Sequence, residues 1–367
     1  MINREGGFVN IFLKLISGIL KLISGIFKDM VISELYRKKR FLKSTHIPEK
    51  STDTEYEVMK LISMQRTDLA VELRENLDNT RELSGVKVST KVNRDNDIKE
   101  TEIVIETKEG ADKIGKPIGT YITIESEELR CSDEEYHEPM SEALYQSLKK
   151  MLKGKTKILV AGLGNRAVTP DALGPMVIDN LYVTRHLIRE DILFSAYEIS
   201  AVAPGVMAQT GMESQEILKG VVAQVKPEVL LVIDALAAGT SNRLNKTIQL
   251  ADTGIAPGSG VGNHRKAINY ESMGVPVVAI GVPTVISVPA IVDDAMDVML
   301  DAFGKNGTRE VMETFTEQER YQLACEMVEP YLANMFVTPK NIDEAIKRIS
   351  FTISEAINRL QHSYNEI

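Results

Sequence analysis

The chain of 367 residues contains 43% hydrophobic and 26% charged residues, values that exclude a disordered, collagenous or multi-span membrane protein and allow two or three domains. Its net charge of −9 argues against direct binding of nucleic acid, because proteins contact phosphates through Lys and Arg. The two cysteines, Cys131 and Cys325, are too few for a disulfide framework and indicate a reducing compartment.

The amino-terminal segment differs from the rest of the chain in charge and pattern. Residues 1–50 carry ten Lys/Arg against four Asp/Glu, and an apolar seven-residue unit repeats within them, with Lys14 and Lys21 at equivalent positions. A spanning helix needs about 20 residues with few charges, and a signal peptide needs a charge-free core, so neither fits. We interpret the segment as a removable extension. An amphipathic helix that contacts a membrane through residues 8–28 is the less favoured alternative.

A β-rich stretch follows a polar boundary at residues 48–53. Alternating or β-branched residues predict three strands, over 86–92, 101–107 and 118–124. Leucines spaced four residues apart then predict a helix over 141–152.

From residue 158 onward, short apolar strands alternate with helices. Continuous apolar runs at Ile158–Ala161 and Val229–Ile233 are typical of strands buried on both faces. The other predicted elements are helices over 173–187, 213–225 and 288–303 and strands over 195–199, 247–250 and 275–280. The alternation predicts an α/β fold with a mainly parallel sheet and helices on both faces. After residue 307 we predict a helical part, with helices over 317–336 and 342–360.

Two carboxylates follow the two central apolar strands. Asp171 lies in the long loop after the first strand, and Asp234 comes immediately after the second. Ligand sites of parallel sheets lie beyond the carboxyl ends of the strands, so we expect the two side chains to meet there. Such a pair shares a proton and can activate water, protonate a leaving group or hold a metal. The alternatives are a helix N-cap for Asp171 and a turn residue for Asp234.

Two glycine-containing loops are further candidates for binding. The run Gly162–Ala167 approximates a dinucleotide-binding fingerprint, but residues 168–170 delay the helix whose N-terminus would bind a pyrophosphate. We therefore expect the glycines to let the loop fold close to the sheet, with dinucleotide binding as the alternative. The loop Gly254–Gly262 is either a lining of a substrate groove or a plain mobile loop.

Several motifs in fixed order resemble the germination proteases of spore-forming bacteria. The resemblance extends from about Arg66 to the carboxyl end of the chain. The motifs lie at residues 66–72, 115–121, 162–165, 169–175, 203–207, 233–237, 251–254 and 257–263.

The resemblance implies an endopeptidase that degrades small acid-soluble spore proteins in the cytoplasm of the spore core. It implies no cofactor and a homotetrameric precursor that removes its own propeptide.

Hydrogenase-maturation endopeptidases, which resemble this family in fold, have acidic residues that match Asp171 and Asp234, our predicted catalytic pair. Those enzymes bind a metal through a histidine where this chain has Gly258. The difference favours an aspartate-pair mechanism without a metal, and a metal-dependent maturation-type endopeptidase is the alternative. Gly258, Ser259 and Gly260 are the predicted groove residues.

The resemblance also implies a propeptide junction, because the family cuts its substrates between an acidic residue and an apolar one. We predict cleavage between Asp68 and Leu69. The predicted domains are therefore an extension of residues 1–68 and a peptidase domain of residues 69–367, whose helical tail covers about 308–367.

Overall fold

A computed structural model describes most of the chain beyond the amino-terminal extension. The described residues are 67–75, 83–130, 137–193, 197–262, 265–303 and 332–362, with several positions between 320 and 328. The predictions made for residues 1–66 and for Cys131 lie outside them. The chain divides into two compact units. All of the site described below belongs to the unit formed by Gln65–Asp294 and Val328–Ile367.

Strands and short helices alternate through this unit. The strands are β1 (Val86–Asn93), β2 (Ile98–Ile105), β3 (Gly119–Glu125), β4 (Lys157–Gly162), β5 (Glu198–Val202), β6 (Val229–Ala238), β7 (Thr247–Ala251), β8 (Val277–Ser287) and β9 (Phe336–Val337). The helices are α1 (Ala70–Glu75), α2 (Lys108–Ile114), α3 (His137–Leu152), α4 (Leu173–Asp179), α5 (Arg185–Arg189), α6 (Met207–Thr210), α7 (Ser214–Val225), α8 (Tyr270–Met273), α9 (Val288–Phe303) and α10 (Ile342–His362).

The strands form one mixed sheet in the order β1-β2-β3-β7-β8-β6-β4-β5, with β9 beside β8. The strands β5, β4, β6 and β8 run parallel, whereas the other pairings are antiparallel. The predicted α/β class is confirmed. The sheet is mixed rather than mainly parallel, because the β-rich amino-terminal stretch joins the same sheet through β3 and β7.

Helices cover both faces of the sheet, as the alternation predicts. On one face, Leu144 of α3, Leu173 of α4 and Ile349 of α10 pack with Val160 and Leu231 of the central strands. These side chains are fully buried, and each such side chain contributes about 1.5–3 kcal/mol to folding.

The opposite face carries two separate apolar clusters. Leu218 of α7 packs with Leu159 and Leu230 in the first of them. The second cluster joins Leu69, just before α1, to Leu236 of β6. Because side chains alternate along a strand, Leu230 and Leu236 lie on the same face of β6, and Asp234 lies on that face between them.

Several predicted elements differ from the observed ones, and the strands predicted over 229–233 and 275–280 extend to Ala238 and Ser287. The predicted helix 173–187 is two helices, because Thr184 binds the next strand: its hydroxyl donates to the Tyr197 carbonyl and accepts the Ile199 N–H. The predicted strand 195–199 is displaced to β5, and the end of the predicted helix 317–336 is the strand β9. Among the described residues, no helix is both long and apolar enough to cross a membrane.

Candidate active site

Asp234 lies inside β6, not after it. The neighbouring strand β4 ends at Gly162, which pairs with Ile233, so Asp234 is the first residue of β6 beyond the end of β4. On the other side it faces Gly281 of β8. The side chain is only 5% exposed. The prediction that Asp234 ends the strand, and the alternative that it is a turn residue, are wrong. Asp234 nevertheless lies beside the carboxyl end of β4, where ligand sites of parallel sheets are expected.

Asp171 lies in the loop that follows β4, at the end of a short 3-10 turn from Thr169 to Asp171. Its carboxylate accepts the backbone N–H of Asn165 at 2.9 Å, and its carbonyl accepts the same N–H at 3.0 Å. The N-cap of α4 is Ala172, without a side-chain cap. The alternative that Asp171 caps this helix is therefore wrong.

The glycines of this loop allow its close packing on the sheet. Gly164 has φ +110°, and a Cβ there would lie 1.9 Å from the Asp171 carbonyl oxygen. A Cβ on Gly174 would lie 2.6 Å from the carbonyl oxygen of Ile233, the residue before Asp234. The glycines therefore bring the Asp171 loop against β6, as the sequence predicts.

A β-bulge supports the Asp171 loop from the other side. The register between β6 and β8 shifts between Leu236 and Ala237, which leaves Thr284 as the extra residue of β8. The buried Thr284 hydroxyl donates to the Pro170 carbonyl at 2.7 Å. Bulges often re-aim a side chain beside an active site, and this one fixes the residue before Asp171. Thr284 was not predicted as a site residue. The sequence feature that could have indicated it is a hydroxyl side chain within an apolar strand.

The charge of Asp171 affects the ionisation of Asp234. Burial raises the pKa of Asp234 well above its ordinary value, and the charges of Asp171 and Asp68 raise this pKa further. Burial also raises the pKa of Asp171, while the Asn165 N–H and the charge of Arg265 lower it. A pair in this environment retains a proton at a pH where isolated carboxylates are ionised, so it can donate one proton and accept another. Sequence reasoning did not identify Arg265.

The predicted cleavage residue Asp68 binds directly to the predicted groove residues. Its N–H donates to the Ala237 carbonyl at 3.1 Å, and its carboxylate accepts the Ala237 N–H at 3.0 Å. The Ser259 hydroxyl donates to the same carboxylate at 2.6 Å. A Cβ on Gly260 would lie 2.2 Å from a carboxylate oxygen of Asp68, so only glycine leaves room for this acidic side chain.

The peptide groups around Asp68 are bound as well. The Asp68 carbonyl accepts hydrogen bonds from Lys116 Nζ at 3.0 Å and Gln249 Nε2 at 3.2 Å. Gln249 Oε1 accepts the N–H of Ala70 at 2.7 Å, and Leu69 is fully buried. The residues on both sides of the predicted cut are therefore bound by other parts of the same chain. We call the set of residues that binds them, Lys116, Ala237, Gln249, Ser259 and Gly260, the cleft.

Comparisons with known proteins identify the family of this chain. The model of the germination protease family matches residues 63–312. A germination protease of Caldanaerobacter subterraneus subsp. tengcongensis is 45% identical over 303 residues, which are 80% of this chain and 93% of that protein. The chain belongs to the germination protease family. It is therefore a peptidase, and the predicted endopeptidase of spore germination is confirmed at the level of the family.

Further members of the germination protease family match over similar lengths. The Bacillus subtilis germination protease is 37% identical over 342 residues, with 81% of this chain and 93% of that protein covered. That of Priestia megaterium is 36% identical and covers 86% of this chain. A [NiFe] hydrogenase maturation protease from Thermococcus kodakarensis aligns with 57% of this chain and 98% of its own, at 18% identity and a TM-score of 0.31. This last likeness is too distant to carry an argument.

The alternatives from sequence receive no support from these relatives. In the dinucleotide-like run, the Asn165 N–H, a group that such a fingerprint would offer to phosphate, is donated to Asp171. Gly258, for which the resemblance implies a histidine in maturation endopeptidases, adopts φ 73° at the start of the 3-10 turn Ser259–Val261. Within the described ranges, no group of three or more His, Cys, Asp or Glu side chains is placed to hold a metal.

A buried glutamate anchors the chain just after the predicted cut. Glu72 is 1% exposed and accepts N–H groups from Gly239 at 2.7 Å and Thr240 at 3.1 Å. The Thr67 hydroxyl also donates to it. Burial raises the pKa of Glu72, and these donors, with the charge of Arg243, oppose the rise. The helix α1 is thereby fixed to the end of β6 independently of Asp68.

Proposed function

We propose that this chain is a self-processing endopeptidase that cuts small acid-soluble spore proteins through the pair Asp171 and Asp234. One observation carries the proposal. The segment around Asp68 has the acidic–apolar sequence expected of a substrate, its side chain and carbonyl are bound by other parts of the chain, and its charge raises the pKa of Asp234. The family resemblance further supports a homotetramer in the spore core.

In the proposed mechanism, the two carboxyl groups divide the work of general acid and general base. Asp234 is the more deeply buried, so it holds the proton. Asp171, ionised, takes a proton from a water molecule as the water oxygen bonds to the scissile carbonyl carbon. When the C–N bond breaks, its electron pair goes to the nitrogen, which receives a proton from the pair and leaves as an amine.

Cleavage of a purified small acid-soluble spore protein tests this function most directly. We expect the processed chain to cut it between acidic and apolar residues at the same rate with and without a chelator, because two carboxylates suffice for the proton transfers. Mass spectrometry of the products and the initial rates provide the measurement. An inactivation by chelator that added metal reverses would favour the metal-dependent alternative.

The groove residues account for a preference for an acidic side chain before the cut. Asp68 receives two hydrogen bonds at its carboxylate, one from the Ser259 hydroxyl and one from the Ala237 N–H. Gly260 packs against the oxygen that accepts the Ala237 N–H. Hydrogen bonds to a charged group are worth about 1.5–3 kcal/mol. We propose that substrates place their acidic residue at this same position.

A Ser259→Ala variant tests this pocket. With a peptide that has Asp before the cut, we expect kcat/KM to fall about tenfold, because one hydrogen bond to the carboxylate is lost. With the matched peptide that has Asn there, kcat/KM should change less than twofold. Ser89→Ala, on the exposed strand β1, is the control variant. An equal loss with both peptides would remove Ser259 from the selection of acidic residues.

A further inference from the structure

The carbonyl oxygen of Asp68 is held by two side chains from different elements, outside the aspartate pair. Lys116 follows Gly115, which ends α2 in the left-handed conformation with φ 74°. A glycine in this position lets the chain turn sharply after a helix. This turn brings Lys116 to the carbonyl of Asp68. Its ammonium lies 3.0 Å from the carbonyl oxygen. The second donor, Gln249, belongs to β7.

Gln249 holds the Asp68–Leu69 peptide group at its carbonyl and the next peptide group at its N–H. Its amide nitrogen donates to the carbonyl of Asp68, and its amide oxygen accepts the N–H of Ala70. The side chain is buried, so these hydrogen bonds replace those that it would make with water. A single side chain therefore fixes the orientation of the bond that is predicted to be cut.

The sheet register places Gln249 on the face that carries Asp234. Gln249 pairs with Gly281 of β8, and Gly281 pairs with Asp234 of β6. Side chains directly opposite one another in adjacent strands point to the same face, and two strand spacings amount to roughly 10 Å. A peptide that crosses this face above β8 thus lies between Asp234 on one side and Gln249 on the other.

Lys116 is the cation of this arrangement. Burial lowers its pKa, and the charge of Asp68 opposes the change. When water adds to a carbonyl carbon, the electron pair of the C=O double bond moves to the oxygen, which becomes an oxyanion. A donor placed at that oxygen in a site shielded from water stabilises the transition state strongly, and a charged donor does so most. In the proposed mechanism the proton of the aspartate pair goes to the leaving nitrogen, so other donors stabilise the oxyanion.

We propose that Lys116 and Gln249 bind the scissile carbonyl oxygen of both the chain's own segment and its protein substrates, and stabilise the oxyanion that forms there. The inference rests on the proposed function, since it takes the Asp68–Leu69 bond as a cleavage site. When the C–N bond breaks, the electron pair on the oxygen re-forms the carbonyl of the product acid. Lys116 keeps its proton throughout the reaction.

Lys116→Met in the full chain tests the proposal. We expect its rate of self-cleavage and its kcat on spore protein to fall about 10²–10³-fold, the effect of removing one oxyanion donor. Lys116→Arg should recover most of the rate, because it retains a cation. Lys113→Met, which removes an exposed lysine paired with Glu109 on α2, should cut at the parent rate.

Hydrogen exchange separates this role from that of a simple anchor. The Asp68 and Ala70 amides donate to Ala237 and Gln249, so they report whether the segment stays bound. We expect both amides of Lys116→Met to keep their protection while the rate falls. Loss of protection together with the rate would make Lys116 an anchor only, and a rate within threefold of the parent would also overturn the inference. A parent chain that cuts neither itself nor spore protein would instead overturn the proposed function, and this inference with it.

Discussion

Replacing Asp234 with Asn is expected to abolish peptide cleavage and, at the same time, to stabilise the folded chain at alkaline pH. Cleavage should fall at least 10³-fold, because an amide can neither hold nor transfer the proton that the mechanism requires. The expected gain in stability of the variant follows from the burial of the Asp234 carboxyl. A carboxyl whose pKa is raised in the folded state binds protons more tightly there than in the unfolded chain, so ionising it costs the fold free energy.

The sign of the pH dependence makes this prediction specific. The raised pKa of Asp234 contributes stability that is complete below the ordinary aspartate range and is lost as the pH rises through the folded-state pKa. The Asn side chain does not titrate. Relative to the Asp234→Asn variant, the parent chain should therefore lose free energy of unfolding between an acidic pH near the ordinary aspartate range and an alkaline pH, by about 1.4 kcal/mol for each pH unit by which the folded-state pKa exceeds the ordinary one.

Urea unfolding at the two pH values, with cleavage rates measured in parallel, provides the test. Asp112→Asn, a change at an exposed position of α2, is the matched control and should alter neither quantity. Asp171→Asn should also lose cleavage by orders of magnitude. It should keep its fold, because the new amide oxygen can still accept the Asn165 N–H. Near-normal cleavage by either folded variant would remove that aspartate from the mechanism.

The positions of the two aspartates follow from sequence because the rules that govern them are local. Apolar runs mark the buried strands, and the residues after them lie at one end of a parallel sheet. Asp234 lies inside β6, because the length of a strand depends on its partners: β8 pairs with β6 beyond this residue, whereas β4 ends before it. No local pattern reports where a neighbouring strand stops.

The residues that sequence reasoning missed act through contacts distant in the chain. Thr284 holds Pro170, 114 positions away, and Gln249 holds Ala70, 179 positions away. Lys116 lies within one of the motifs on which the resemblance rests, but a lysine between glycine and proline gives no indication of its partner. The mixed sheet was missed for the same reason, since β3 and β7 are joined only by tertiary pairing.

The full chain is expected to release residues 1–68 by cutting itself between Asp68 and Leu69. The segment already lies in the cleft as a substrate would: its carboxylate, its carbonyl and the next amides are all bound. The part that follows the cut stays in place, since Glu72 holds it to the backbone of Gly239. Departure of the part that ends at Asp68 would then leave the pocket at Ser259 open to a protein substrate.

Mass spectrometry after mild acidification and partial drying, which imitate the late spore interior, should detect a new amino terminus at Leu69. Asp171→Asn should remain uncut, since the cleft then holds the segment without an active pair beside it. Asp68→Asn should be cut at least tenfold more slowly, because the uncharged side chain loses the charge-assisted bonds to Ser259 and Ala237. A different amino terminus, or the same cut in Asp171→Asn, would contradict self-cleavage at this bond. A segment that is already bound in the cleft of its own chain is cut within that chain. The rate of self-cleavage should therefore also be independent of protein concentration.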